Sequence, residues 1–171
     1  MDLVVKHIGD NVYQAEFGDK KWRCAVGPNG IRSDSCEGSG KSPAGRWPLR
    51  QLFYRADRTE KPVSYLKSTI IAEDMGWCDA PSDPEYNKLV KLPFAASHEK
   101  MWMDADVYDV VVVLGHNDDP VVSGAGSAIF LHIARPEYTP TAGCAALSKE
   151  DLLEFLALAT PETHLQFVEQ D

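Results

Sequence analysis

Short apolar or alternating runs occupy residues 3–8, 12–17 and 22–26, a spacing that turns alternate side chains of an extended chain inward. The turn-forming groups Gly9-Asp10-Asn11 and Gly18-Asp19-Lys20 separate these runs, which predicts a meander of three strands. Further strands are expected at 51–55, 69–72, 107–114, 128–133 and 164–168, each bounded by Gly, Pro, Asn or Asp. One stretch carries the helical period instead. Leu152, Phe155, Leu156 and Ala159 fall at i, i+3, i+4 and i+7, and Ser148 followed by Asp151 supplies a cap and an acidic first turn. Residues 73–98 carry Pro81, Pro84 and Pro93 among polar residues and predict a long ordered excursion over the surface. The pattern is that of a mainly β chain with a helix near its C-terminus, folding as a single domain over residues 1–171.

Composition narrows the function classes. Of 171 residues, 44% are apolar and 25% charged, which is globular rather than disordered composition. Lys and Arg number 17 against 26 Asp and Glu, a formal charge of −9, which argues against nucleic acid or an anionic membrane as partner. No apolar run approaches the ~18 residues a bilayer span needs. Cys24, Cys36, Cys78 and Cys144 are scattered, a usage that suits reduced thiols better than a disulfide framework. Met1-Asp2-Leu3-Val4-Val5-Lys6-His7 lacks the basic start and long apolar stretch of an export signal, so a cytoplasmic location is expected. A periplasmic one follows instead if the sequence is a piece of a longer, exported chain.

Two apparent motifs fail on inspection. Gly38-Ser39-Gly40-Lys41-Ser42 resembles a phosphate-cradling loop, but Ser35 stands where the motif needs its first Gly, and Pro43 and Gly45 spoil the helix that should follow. His98-Glu99 opens like a zinc-protease motif, but Trp102 occupies the position of the second His. The remaining His and Cys residues lack metal-ligand spacing, so no metal and no cofactor is expected. The informative stretch is Gly126-Ser127-Ala128-Ile129-Phe130-Leu131-His132, followed by Thr141-Ala142-Gly143-Cys144. An apolar strand delivers His132 at its end and a Pro-bounded loop returns the chain to Gly143-Cys144. A free thiol is only a few per cent thiolate at neutral pH and needs a base, which His132 could supply. Gly143 permits a tight turn able to aim backbone N–H groups at an oxyanion. The other reading of the same residues is an inert buried Cys near a His.

Gly40-Lys41-Ser42-Pro43-Ala44-Gly45-Arg46-Trp47 together with Ser127–His132 and Thr141-Ala142-Gly143-Cys144 resembles the L,D-transpeptidase (YkuD-like) catalytic domain. The first segment looks like that family's G-K-x-(S/T)-P-x-G-x-aromatic hairpin and the second like its His…Gly-Cys signature. The segments stand in the family's order, with residues 108–117 ahead of the His strand, and the resemblance spans about residues 22–168. It implies a mainly β, sandwich-like fold and a cysteine acyl transferase acting on peptidoglycan stem peptides or muropeptides. Cys144 would attack the carbonyl of the diamino acid at stem position three and expel D-alanine, with His132 as base and then acid. An amine acceptor gives a 3–3 cross-link; water gives L,D-carboxypeptidase activity. Carbapenem acylation of Cys144 is expected of the same chemistry.

The departures bear on the acceptor side. Many members have a second His directly before Gly-Cys and an Arg or Asn soon after it, whereas this chain has Ala142 and Ala145-Ala146. His116 and Asn117 are candidates for a compensating polar group; a turn through Asn117-Asp118-Asp119-Pro120 is the alternative. Stem peptides carry carboxylates, so local cations are required, with Arg135 first and Lys41 and Arg46 behind it. Their alternative fate is that of solvated surface charges. Met101, Trp102 and Met103 either line the cleft or pack in the core. The expected activity is L,D-carboxypeptidase action in murein recycling, the alternatives being an exported 3–3 cross-linking transpeptidase and a non-catalytic muropeptide-binding module. An active site should present one fast-reacting thiol, lost in Cys144→Ala.

Overall fold

A computed structural model describes residues 1–171. The meander forms as β1 (Leu3–Gly9), β2 (Val12–Phe17) and β3 (Lys20–Cys24). Gly9, Asp10 and Asn11 all have positive φ in the first turn, which is why small and Asx residues stand there. The short strands β4 (Ile31–Arg32) and β5 (Ser42–Pro43) pair in parallel at the ends of the Gly-rich loop. The long strand β6 (Gly45–Tyr54) starts well before the expected 51–55; Gly45 and Pro48 within it read as loop residues and concealed its first half. There follow β7 (Ser68–Ile70), β8 (Met75–Cys78), β9 (Leu89–Lys91), β10 (His98–Lys100), β11 (Val110–Leu114) and β12 (Phe130–Ile133). The chain ends with β13 (Ala145–Leu147), helix α1 (Lys149–Leu158) and β14 (His164–Phe167). Ser148 Oγ accepts from the Asp151 N–H at 3.1 Å, so the cap is as expected.

The main sheet runs β13-β12-β11-β6-β14-β1-β2-β3, with β7 alongside β6. It curls until its ends meet: Ala25, just past β3, exchanges two 2.9 Å backbone hydrogen bonds with Ala146 of β13. The period-two alternation sorts side chains between two cores. Val110, Val112, Leu114, Leu131 and Ile133 face inward with Leu152, Phe155 and Leu156 of the helix. Val111, Val113 and Phe130 face outward and pack with Phe53, Trp77 and Met101. A strand covered on both faces reads as the continuous run Val110-Val111-Val112-Val113-Leu114.

The outer cover corrects the expectation for residues 73–98. The segment is not a bare excursion: β10, β8 and β9 form a three-stranded sheet laid over β11 and β12. Its strands are three or four residues long and show no clear alternation, which hid them. Cys78 ends β8 and is fully buried. Met101 is core, and Trp102 lies under the Arg55 guanidinium at 3.4 Å from its ring centroid. No helix is long and apolar enough to cross a membrane.

Candidate active site

The outward face of β12 carries Phe130 and His132, two residues apart, toward the covering sheet. His132 is opposite Val111 on β11 and Ala146 on β13, a position that leaves it 7% exposed. Its Nδ1 lies 2.8 Å from the Ile133 carbonyl, which can only accept, so Nδ1 holds the proton. Nε2 is then the basic atom, and no protein group pairs with it.

Cys144 ends the turn that leads into β13. Gly143 has φ +141, and a Cβ there would sit 3.0 Å from the Lys41 carbonyl oxygen, so only glycine fits. The Gly143 N–H donates to Thr141 Oγ1 at 3.1 Å, and Thr141 Oγ1 donates to the Cys144 carbonyl at 2.8 Å. Gly143 therefore shapes the turn that presents Cys144 while its amide is held by Thr141. The Cys144 Sγ donates to the Ala128 carbonyl at 3.2 Å and accepts from the Phe130 N–H at 3.4 Å. Ala128 has φ +53, a conformation costly for a residue with a Cβ, and it aims this carbonyl at the thiol.

Both groups line one cavity of about 210 Å³ with Tyr108, Arg135, Ala142 and Glu99. They are not hydrogen-bonded to each other, since the thiol proton goes to Ala128. Burial pushes the Cys144 thiol up to about 12, and the Glu99 charge adds to the shift. Burial brings His132 down to about 4, with Arg135 acting in the same direction. At neutral pH the resting pair is thus thiol and neutral imidazole. The Tyr108 ring packs edge-on against His132 at 5.4 Å between centroids, and its hydroxyl donates to Glu99.

The other expected residues fall in different places. Arg135 is the one basic residue lining the cavity besides His132, and no carboxylate pairs with it. The Lys41 side chain points away to Asp34, 2.8 Å from its Nζ; its main chain is what meets the Gly143 turn. Ser42 is fully buried beside it, and its hydroxyl takes the Gly27 N–H at 3.0 Å and reaches the Cys144 carbonyl at 3.4 Å. Arg46 is forked onto Asp2 at 2.6 and 3.1 Å, opposite Gln166 on β14 and outside the cavity. His116 packs edge-on against Trp47, also outside. Asn117 closes its own loop, bonding Val122 and Gly126 at 2.8–2.9 Å, which is the turn reading of that pair.

Sequence reasoning missed Glu37, Asp79 and Glu99, which reach the cavity from the Gly-rich loop and the covering sheet. Glu99 stood beside His98 in the failed zinc motif. On a strand the two neighbours point to opposite faces, so they never share a site. No three His, Cys, Asp or Glu residues are grouped closely enough to hold a metal ion.

This geometry meets a direct comparison. The L,D-transpeptidase catalytic domain (YkuD) family model matches residues 9–166. The chain belongs to this family. The assignment brings the family's substrate class, peptidoglycan stem peptides, and fits the mainly β fold with its curled sheet. No curated protein and no solved structure matches the chain.

Proposed function

We propose that this L,D-transpeptidase-family chain is a cysteine-dependent L,D-carboxypeptidase on stem tetrapeptides, with Cys144 as nucleophile and His132 as its base. The observation that carries this is a shared cavity holding a thiol and an unpaired, basic Nε2 on a buried, tautomer-fixed imidazole. Because the resting pair is neutral, the thiol proton must leave as sulfur bonds to carbon. Rotation of Sγ away from the Ala128 carbonyl hands that proton to His132 Nε2 while sulfur attacks the carbonyl of residue three. The tetrahedral intermediate collapses, the C–N bond to D-alanine breaks, and the imidazolium returns the proton to the departing amine. A water molecule, deprotonated by the same Nε2, then cleaves the thioester and regenerates the thiol.

In this reading Arg135 takes the terminal carboxylate of the leaving D-alanine, supported by its being the one guanidinium that lines the cavity. Water as the acceptor is favoured by Ala142, which lines the cavity where many relatives have a His and offers no polar atom to a second amine. A carbapenem would acylate Cys144 by the same attack.

Mass spectrometry of products from disaccharide-tetrapeptide, with and without a D-amino-acid acceptor, tests the reading. The expected result is loss of one D-alanine without acceptor, abolished in Cys144→Ala. Dominant acceptor exchange would make the chain a transpeptidase instead. The absence of any Cys144-dependent product would leave a muropeptide-binding module.

A further inference from the structure

Three carboxylates, Glu37, Asp79 and Glu99, line the cavity that holds Cys144 and His132. Each is fixed at one oxygen by neutral hydroxyl donors. Glu37 Oε1 accepts from Tyr86 at 2.7 Å and Ser127 at 2.5 Å, Asp79 Oδ1 from Ser97 at 2.6 Å, and Glu99 Oε1 from Tyr108. The second oxygen of each has no protein partner, and none of the three lies within ion-pair distance of a Lys or Arg. Hydroxyl donors orient a carboxylate without neutralising it, so the cavity carries excess negative charge against the single guanidinium of Arg135.

That the cavity is built to receive a ligand rests on a separate observation. His132 is 93% buried by its 7% exposure, and its Nε2 has no partner within the protein. The carboxylates are also too dispersed to share a metal ion. Their summed charge still favours a cation, and an ammonium carried on a flexible chain can settle against one of them within the field of the other two.

We propose that Glu37, Asp79 and Glu99 form a subsite for the free side-chain ammonium of the third residue of the donor stem peptide. This rests on the acyl-transfer reading, which puts that residue's carbonyl at Cys144 and therefore its side chain inside the cavity, with the terminal carboxylate toward Arg135. The chain then acts on stems whose diamino acid is unmodified. A stem whose side-chain amine is already acylated, as in a cross-link, is neutral there and is rejected.

The test uses stem tetrapeptides with L-lysine, Nε-acetyl-L-lysine or L-norleucine at position three. Binding to the Cys144→Ala chain is measured by titration calorimetry, and turnover is measured on the wild type. Loss of a charge-assisted hydrogen bond predicts roughly 10- to 100-fold weaker binding and lower kcat/KM for the acetyl-lysine and norleucine peptides. Asp79→Asn and Glu37→Gln should each shrink the lysine-to-norleucine ratio, a readout that general loss of structure does not move. Equal affinity for the lysine and norleucine peptides, or binding of neither, overturns the subsite. So does a lysine preference seen only on an added amine acceptor. A lysine preference in binding with no turnover by the wild type supports the subsite while sinking the proposed reaction.

Discussion

At the scale of single residues, the site runs on groups that burial keeps neutral. His132 holds no proton until about pH 4, against 6.5 for a free imidazole. As pH falls through 6.5 the unfolded chain binds a proton that the folded chain refuses, so this residue removes stability progressively between about pH 6.5 and 4. The loss totals about 3 kcal/mol and is complete below the folded value. Denaturation curves across that window should therefore show a steeper fall for the wild type than for His132→Gln; parallel curves would mean that the imidazole is freely protonated. Cys144 has the opposite shift, with its thiol near 12. Exposure adds a competitor to the expected fast-reacting active-site thiol, because Cys36 is exposed while Cys24, Cys78 and Cys144 are buried. In a Cys36→Ser background, iodoacetamide labelling of Cys144 should be slow at neutral pH. It should rise about tenfold per pH unit up to about pH 10, and Glu99→Gln should shift the profile to lower pH by removing a like charge. A plateau below about pH 9 would show that His132 already activates the thiol at rest.

At the scale of elements, what was legible and what was hidden follow from period and length. The meander, β11, β12 and the helix announce themselves by alternation, a continuous apolar run or 3.6-residue spacing, and each forms near its expected bounds. Cys144 and His132 were legible from the Gly-Cys turn and the strand before it. The wall facing them was not, because Glu37, Asp79, Glu99 and Asn87 come together only through long-range pairing of very short strands. Asn87 shows how the covering sheet reaches Cys144. This residue is buried with φ +58, and its Oδ1 accepts from Trp77 Nε1 and the Ala128 N–H, both at 3.0 Å. Its Nδ2 donates to the carbonyls of His116 and Asn117 at 3.1 and 2.8 Å. The amide thus pins the strained Ala128, whose carbonyl holds the thiol. Asn87→Ala leaves buried donors unpaired and places a Cβ residue at positive φ without the Asx advantage, so it should cost about 2–4 kcal/mol in urea denaturation. An effect below about 0.5 kcal/mol would show that these groups find other partners.

At the scale of the whole molecule, the curled sheet puts Cys144 at its seam: it immediately precedes β13, whose Ala146 bonds to Ala25 past β3. The Gly143-Cys144 turn is therefore supported by residues from both ends of the sheet order and by the Gly27–Ser42 contact. The charge of −9 acts on the same seam from a distance. A disaccharide-tetrapeptide carries more carboxylates than ammonium groups, so its approach is opposed by the field of the protein even though, in the proposed reading, Arg135 and the carboxylate wall are each matched to one of its groups. Long-range repulsion is screened over ~30 Å at 10 mM salt and ~8 Å at 150 mM, whereas contacts inside a part-buried cavity are screened much less. Added salt should thus relieve the repulsion and leave most of the contact energy in place. The expected result is a kcat/KM that rises roughly three- to tenfold between 10 and 150 mM NaCl, carried by KM more than by kcat. Stopped assays on the tetrapeptide across that range measure it. A kcat/KM that instead falls with salt would mean that the local field at Arg135 dominates the approach, and that the net charge lies on faces the substrate never meets.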